Sequence, residues 1–226
     1  MSFQIESWME QYRDAVMSLF GGRIWLMGLQ GSFGRGEADE ESDIDVVLVL
    51  DSLSAEDLEA YGRMLDTLPE RNRVCGFLSG KEELLSWEPS DLFQFCHDTT
   101  VVSGSADQLL ERIGRNDIRR TVRIGACNVY HMGVHNLLHE KSPDILKGLY
   151  KSSVFTLQAI AFLQTGRYAR KRTDLLSLLQ EEEKPVLMRA MEQKEGKACS
   201  AESLGKDTEL LLQWASKWIR KAAECD

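Results

Sequence analysis

The chain has 226 residues, 43% hydrophobic and 28% charged, an ordinary globular balance with enough apolar surface to bury a core and to divide into two small domains. With 27 Lys and Arg against 36 Asp and Glu, the net charge of −9 excludes a general attraction to nucleic-acid phosphates, so no long nucleic-acid partner is expected, and it suits a cationic small partner better. The cysteines Cys75, Cys96, Cys127, Cys199 and Cys225 are odd in number and form no Cys-x-x-Cys pair, which excludes a disulfide or zinc framework and reads as buried or free thiols in a reducing compartment.

Ile5, Trp8, Met9, Tyr12, Val16, Leu19 and Phe20 recur at helical spacing and predict an amphipathic helix over 3–20, stopped by Gly21-Gly22. Ile24 to Leu29 is a short apolar run bounded by glycines, as expected of a buried strand. Gly31, Gly34 and Gly36 follow. Their lack of a Cβ lets backbone N–H groups close on an anion, with the Ser32 hydroxyl as a further donor. A helical turn beginning at Ser32 would aim its amides at the same spot, and the expected ligand is a phosphate. A second apolar strand then opens with Asp43 and Asp45. Side chains alternate along a strand, so these two carboxylates share a face while Ile44 and Val46 point into the core. Carboxylates roughly 6–7 Å apart along a strand suit Mg²⁺, which prefers a few carboxylates completed by substrate phosphate oxygens.

Ser54 with Asp57 three residues on predicts a capped helix through Leu58, Tyr61, Met64 and Leu65, broken by Pro69. A third strand is expected over Arg73 to Leu78, ending at Ser79-Gly80, with a short helix around Lys81 to Trp87. Leu92 to Cys96 and Thr99 to Ser103 read as two further strands or one interrupted strand, closing the β-rich half near Gly104. From Asp107 the pattern is helical. Pro143 behind Ser142 opens a helix through Leu146, Leu149, Tyr150, Val154, Leu157 and Ile160 to about Gln164, before Gly166, and further helices are expected over 172–182, 185–195 and 206–222. The expected fold is therefore α+β: a mixed sheet with flanking helices over 1–105 and an α-helical bundle over 106–226. The short connection at 104–107 predicts that the halves pack together, with the bundle as one wall of the cleft.

Taken in order, Gly31-Ser32, Arg35-Gly36 and Asp43-Ile44-Asp45-Val46, with an apolar strand on each side, resemble the signature of the DNA polymerase β-like nucleotidyltransferase superfamily. Within it the short acidic linker resembles that of the minimal and antibiotic-modifying members. The resemblance implies an enzyme that moves a nucleoside monophosphate, AMP from ATP, to a hydroxyl of a small acceptor such as an aminoglycoside or lincosamide. It implies Asp43 and Asp45 holding two Mg²⁺ ions on the triphosphate, Gly31 and Ser32 gripping the outer phosphates, and Arg35 beside them. It also implies a third acid on a later strand as metal ligand or general base. The third strand, Val74 to Leu78, carries none. Asp98, between two segments read as sheet, is the expected third carboxylate, with shaping a hairpin turn as its alternative role; Asp91 reads as a turn residue, and Glu82 and Glu83 as residues of a solvated helix. Two other readings stay open: an antitoxin-like enzyme that modifies a protein, and a catalytically degenerate nucleotide-binding regulatory module.

His131, His135 and His139 fall on one face of a helix, where His-x-x-x-His can bind zinc; with no acid or cysteine in register they read as a polar stripe. Tyr130, Asn128 and Asn136 nearby are candidates for an acceptor pocket. The C-terminal half resembles, more weakly, the bundles that accompany nucleotidyltransferase domains, including the HEPN type, but Arg123 precedes His131 with seven residues between, which does not fit the ribonuclease spacing of that type. The N-terminus MSFQIESWMEQ shows no signal-peptide pattern and no apolar run approaches the roughly 20 residues of a membrane span. The expected location is cytoplasmic.

Overall fold

The N-terminal amphipathic pattern forms α1 (Ile5–Phe20) in the computed structural model, which describes residues 3–194 and 203–223. Its apolar stripe, Trp8, Met9, Tyr12, Val16 and Phe20, is buried, and Gly21 ends it with φ 52°. β1 (Ile24–Leu29) and β2 (Ile44–Leu50) flank a single helical turn, α2 (Gly31–Arg35). The capped helix is α3 (Ala55–Leu65), where Ser54 and Asp57 form a reciprocal capping box. β3 (Val74–Gly80), α4 (Lys81–Leu85), α5 (Pro89–Asp98) and β4 (Thr100–Gly104) follow.

The four strands lie in the order β3-β2-β1-β4. β1 runs antiparallel to β2 and to β4, whereas β2 and β3 are parallel and paired in register from Ile44–Val74 to Leu50–Gly80. A parallel pair needs a crossover, and α3 supplies it. Met27 and Leu29 of β1 and Ile44, Val46, Leu48 and Leu50 of β2 pack with α1 and Leu65 in one core. Alternation then sends Asp45, Val47 and Val49 to the other face, which is the placement expected of Asp45.

Leu92 to Cys96 is not a strand. It lies within the helix α5, which starts with Pro89 at its first turn and buries Leu92, Phe93 and Cys96. The spacing i, i+1, i+4 of these residues is helical, and Pro89 followed by an acidic Asp91 in the first turn is a helix start. Asp91 therefore sits in a helix rather than a turn, and Asp98 closes the same helix instead of shaping a hairpin.

Beyond α6 (Asp107–Leu110) come α7 (Arg115–His135), continued by a π turn at Asn136–Glu140, then α8 (Pro143–Thr165), α9 (Arg172–Leu178), α10 (Lys184–Lys194) and α11 (Leu204–Ala223). Ser142 caps α8 by accepting from the Ile145 amide, and Gly166 ends it at φ 71°. The expected end of α10 at residue 195, and Cys199 and Cys225, lie outside the described residues. No helix among the described residues is long and apolar enough to cross a membrane.

Two compact units result, Met1–Glu88 with Phe95–Arg112, and Pro89–Gln94 with Ile113–Asp226. Each has its own core: the sheet with α1 and α3 in the first, and Val122, Tyr150, Leu157, Ile160, Leu211 and their neighbours on α7 to α11 in the second. The first half of α5 belongs to the helical unit, where Phe93 packs edge-on to Phe162 and Tyr168. Its second half belongs to the sheet unit, where Phe95 meets the Phe77 ring of β3.

Candidate active site

The glycine turn and the acidic strand meet at Gly31 and Asp45. Gly31 has φ 66°, and a Cβ added to it would lie 1.8 Å from Asp45 Oδ2, so only glycine lets the turn close over the carboxylate. The Gln30 amide donates to the Asp45 carbonyl at 2.7 Å, which fixes the turn to the start of β2. Asp45 is half-buried. Asp43, just before the strand, is exposed, as is the linker at Gly36 and at 38–41. Ser32 is half-buried in α2, and its hydroxyl makes no hydrogen bond among the described residues, which leaves it available to a ligand.

Several contacts hold the turn from below. Gln30 Nε2 donates to the Phe95 carbonyl at 3.1 Å and to Thr99 Oγ1 at 2.7 Å, and the Thr100 hydroxyl donates to the Gly34 carbonyl at 3.1 Å. Arg35 Nη1 donates to Asp98 Oδ2 at 2.8 Å and its Nε lies 3.6 Å from Glu37 Oε2; the Arg35 and Asp98 side chains are only 11% and 9% exposed. The end of α5 thus grips the turn. Asp98 thus pairs with Arg35 at the end of α5, and among the described residues no three His, Cys, Asp or Glu side chains form a group that could hold a metal ion.

Arg73, which the sequence pattern marked only as the start of a strand, reaches back to the acidic linker. Its Nε and Nη2 donate to the Ser42 carbonyl at 3.1 and 2.8 Å, and its guanidinium carbon lies 4.9 Å from the Phe3 ring centre and 5.6 Å from that of Phe33 on α2. Asp39 and Ser42 close the linker by hydrogen bonds of their own. The carbonyl just before Asp43 is therefore pinned, and nothing in the local sequence announces a partner 31 residues away.

On β3, the residue paired with Asp45 is Cys75, an exposed free thiol. Residues paired across a parallel ladder point to the same side, so the position beside Asp45 on the third strand is held by a thiol and not by an acid. Glu82 and Glu83 sit in the first turn of α4. Cys96 is buried, and burial pushes its thiol up to about 12, which makes it unreactive.

The two carboxylates fit Mg²⁺. Divalent magnesium takes oxygen ligands, keeps several waters, and is bound by one or two carboxylates together with substrate phosphates rather than by an all-protein cage. An exposed Asp43 and a half-buried Asp45 beside a glycine turn offer that arrangement. In the helical unit His131, His135 and His139 are all exposed, with the His135 and His139 rings 4.9 Å apart. Tyr130 and Asn128 are exposed on α7. Asn136 is fully buried, and its amide both donates to the Ser142 carbonyl and accepts from the Ser142 amide at 3.0 Å, clamping the α7–α8 connection. It is committed to structure and is not a pocket residue.

Residues 9–92 match the nucleotidyltransferase domain family. This segment is a nucleotidyltransferase domain. The chain that carries it is a transferase. No curated protein matches the sequence. Among solved structures, the spectinomycin adenyltransferase from Enterococcus faecialis, determined with ATP and spectinomycin, is similar with a TM-score of 0.58 at 12% identity, covering 95% of this chain and 99% of that one. At that identity the likeness is one of fold. The nucleotidyltransferase match begins within α1, runs through the β1–α2–β2 unit, α3, β3 and α4, and ends within α5.

Proposed function

We propose that this nucleotidyltransferase domain transfers AMP from ATP to a hydroxyl of a small, hydroxyl-bearing acceptor of the aminoglycoside or aminocyclitol class. The observation that carries the reading is the closure of Gly31 over the Asp45 carboxylate, which sets the turn proposed to bind phosphate against the acid proposed to hold the metal. The acceptor class draws on the fold shared with an enzyme crystallised with ATP and spectinomycin, and on a net charge of −9 that suits a cationic acceptor.

Asp43 and Asp45 would hold Mg²⁺, which when bound supplies neutralising charge to the triphosphate oxygens. Ser32 and the backbone around Gly31 would bind the outer phosphates. The acceptor oxygen forms a bond to the α-phosphorus as the bond from that phosphorus to the bridging oxygen of the β-phosphate breaks. Pyrophosphate leaves with the bond's electron pair, and the acceptor's proton passes to solvent. Asp98, ion-paired to Arg35, acts as a positioning residue for the turn.

The test is incubation with labelled nucleoside triphosphates, Mg²⁺ and a panel of aminoglycosides, aminocyclitols, lincosamides and proteins. Labelled AMP is expected on an aminoglycoside or aminocyclitol. Asp45→Asn should lower transfer by at least about 10³-fold, roughly 4 kcal/mol of transition-state stabilisation, with the circular dichroism spectrum unchanged. Transfer to a protein alone, ATP binding without transfer to anything, or full turnover in a folded Asp45→Asn variant would each overturn the proposal.

A further inference from the structure

The histidines at the end of α7 take no part in the transfer reaction. On a regular α-helix residues four apart share a face but drift by about 40° at each step, and along such a helix the three read as a polar stripe. The end of α7 is not a regular α-helix. After His135 the chain widens into the π turn Asn136–Glu140, closed by the Lys141 amide donating to the Asn136 carbonyl at 2.7 Å. A wider turn lessens the drift, and single π turns are rare and recur at functional sites. His135 and His139 are brought to 4.9 Å between ring centres, with their planes tilted by 55°.

That separation is the one a shared ion requires. An imidazole nitrogen binds a first-row divalent ion at about 2.0–2.1 Å with the ring centre roughly 1.2 Å behind it, so two rings meeting one ion at roughly 90–110° have centres about 4.5–5.4 Å apart. Tilted rings can aim a nitrogen each at one point, which parallel stacked rings cannot. The backbone beneath them is held. Asn136 is fully buried and clamps Ser142 through two hydrogen bonds of 3.0 Å, Leu137 packs against the helical core, and Lys141 ends the turn at φ 50°. The inner side of the turn is thus fixed, while His135 and His139 stand exposed on its outer side, open to an ion and its waters.

The donor type narrows the ion. Imidazole suits zinc, copper and nickel, whereas Mg²⁺ takes oxygen ligands, so this site and the one proposed at Asp43 and Asp45 call for different metals. His131, a regular turn before His135, lies about 12 Å along the axis from His139 and cannot join the pair on one ion. We propose that His135 and His139 bind one divalent first-row transition ion of the zinc and copper type through one ring nitrogen each, with water completing its coordination. Binding requires no nucleotide and stands independently of the transfer reaction.

The experiment is calorimetric titration of the full chain, free of nucleotide, with Cu²⁺ and with Zn²⁺, after the exposed thiols Cys75 and Cys127 have been blocked with methyl methanethiosulfonate. Saturable binding is expected, tighter for Cu²⁺ than for Zn²⁺ and unchanged by an excess of Mg²⁺. His135→Ala and His139→Gln should each weaken both ions by at least about tenfold, since loss of a direct ligand exceeds the smallest losses seen for outer partners of a metal site. Both side chains are exposed, so the circular dichroism spectrum should stay that of the parent chain. His131→Ala should leave both affinities as they are. No saturable binding, competition by Mg²⁺, an affinity unchanged in either His135→Ala or His139→Gln, or an equal loss in His131→Ala would overturn the proposal.

Discussion

Cys75 and Asp45 state the chemistry of the site most sharply at the scale of single residues. The strand register pairs them, and neighbouring strands lie about 4.8 Å apart, so a longer acidic side chain at 75 would reach the space in front of Asp45. Cys75→Glu adds an oxygen ligand for a hard cation and should lower the Mg²⁺ concentration needed for half-maximal transfer by about tenfold. Its cost is a like charge beside Asp45, which favours protonation at low pH and should confine the gain to neutral and alkaline conditions. An unchanged Mg²⁺ dependence would mean that β3 does not face the metal. The thiol explains why the third strand reads as chemically empty in sequence: the position is present in the ladder, but its residue type is not an acid.

The decisive elements are α2 and α5, and they differ in how legible they were. The α1, β1, β2 and α3 boundaries follow from apolar periodicity, glycines and the Ser54–Asp57 cap, all local signals. Leu92, Phe93 and Cys96 over so short a run fit either period, so the apolar run alone does not distinguish a strand from the helix that Pro89 opens. Gly31 and Asp45 were recognisable from spacing, whereas Arg73 and the Arg35–Asp98 pair depend on contacts 31 and 63 residues apart that no local pattern encodes. That pair makes a prediction about how α5 holds α2. Arg35 stands between two carboxylates, Asp98 at 2.8 Å and Glu37 at 3.6 Å. Arg35→Leu removes the cation from between them and should destabilise by about 3–5 kcal/mol, the range for breaking a buried pair. Asp98→Asn leaves Glu37 to balance Arg35 and should cost clearly less. Denaturant melts of the two variants decide it, and equal losses would show that Glu37 contributes nothing.

The α3 cap gives the corresponding pH statement. Arg23 donates to both Asp57 oxygens, and that hydrogen bonding, with the Ser54 amide second, holds the Asp57 carboxyl well below the usual carboxylate range. A carboxyl depressed in the folded state contributes stability that is fully present above its unfolded value, near 3.9, and is lost as pH falls toward the folded one. Asp57→Asn should therefore lower the melting temperature at pH 7, and the gap to the parent chain should close as the pH drops below about 4. A gap that stays constant down to pH 2 would assign the effect to helix packing rather than to the charge.

At the scale of the whole molecule, the described residues form two cores, with one helix divided between the two units. Phe93 belongs to the core of the helical unit, while Phe95 and Asp98 belong to the sheet unit. A domain with its own core can open on its own, and local opening free energies are read by amide hydrogen exchange. If Mg²⁺ and a non-hydrolysable ATP analogue bind at Gly31, Ser32, Asp43 and Asp45, they stabilise the sheet unit by RT ln(1 + [L]/Kd), about 2.7 kcal/mol at a hundredfold excess over Kd. Exchange should then slow by about a hundredfold over β1, β2 and residues 95–98 of α5, and remain as before over α8 and α11. Leu157→Ala, at a fully buried position of α8, should do the reverse, speeding exchange in α8 and in residues 90–93 by the equivalent of about 2–5 kcal/mol while sparing β2. The two halves of α5 would then report separately, each following the core it packs into. Slowing by the same factor across both units on ligand binding would instead show that the chain opens as one cooperative body.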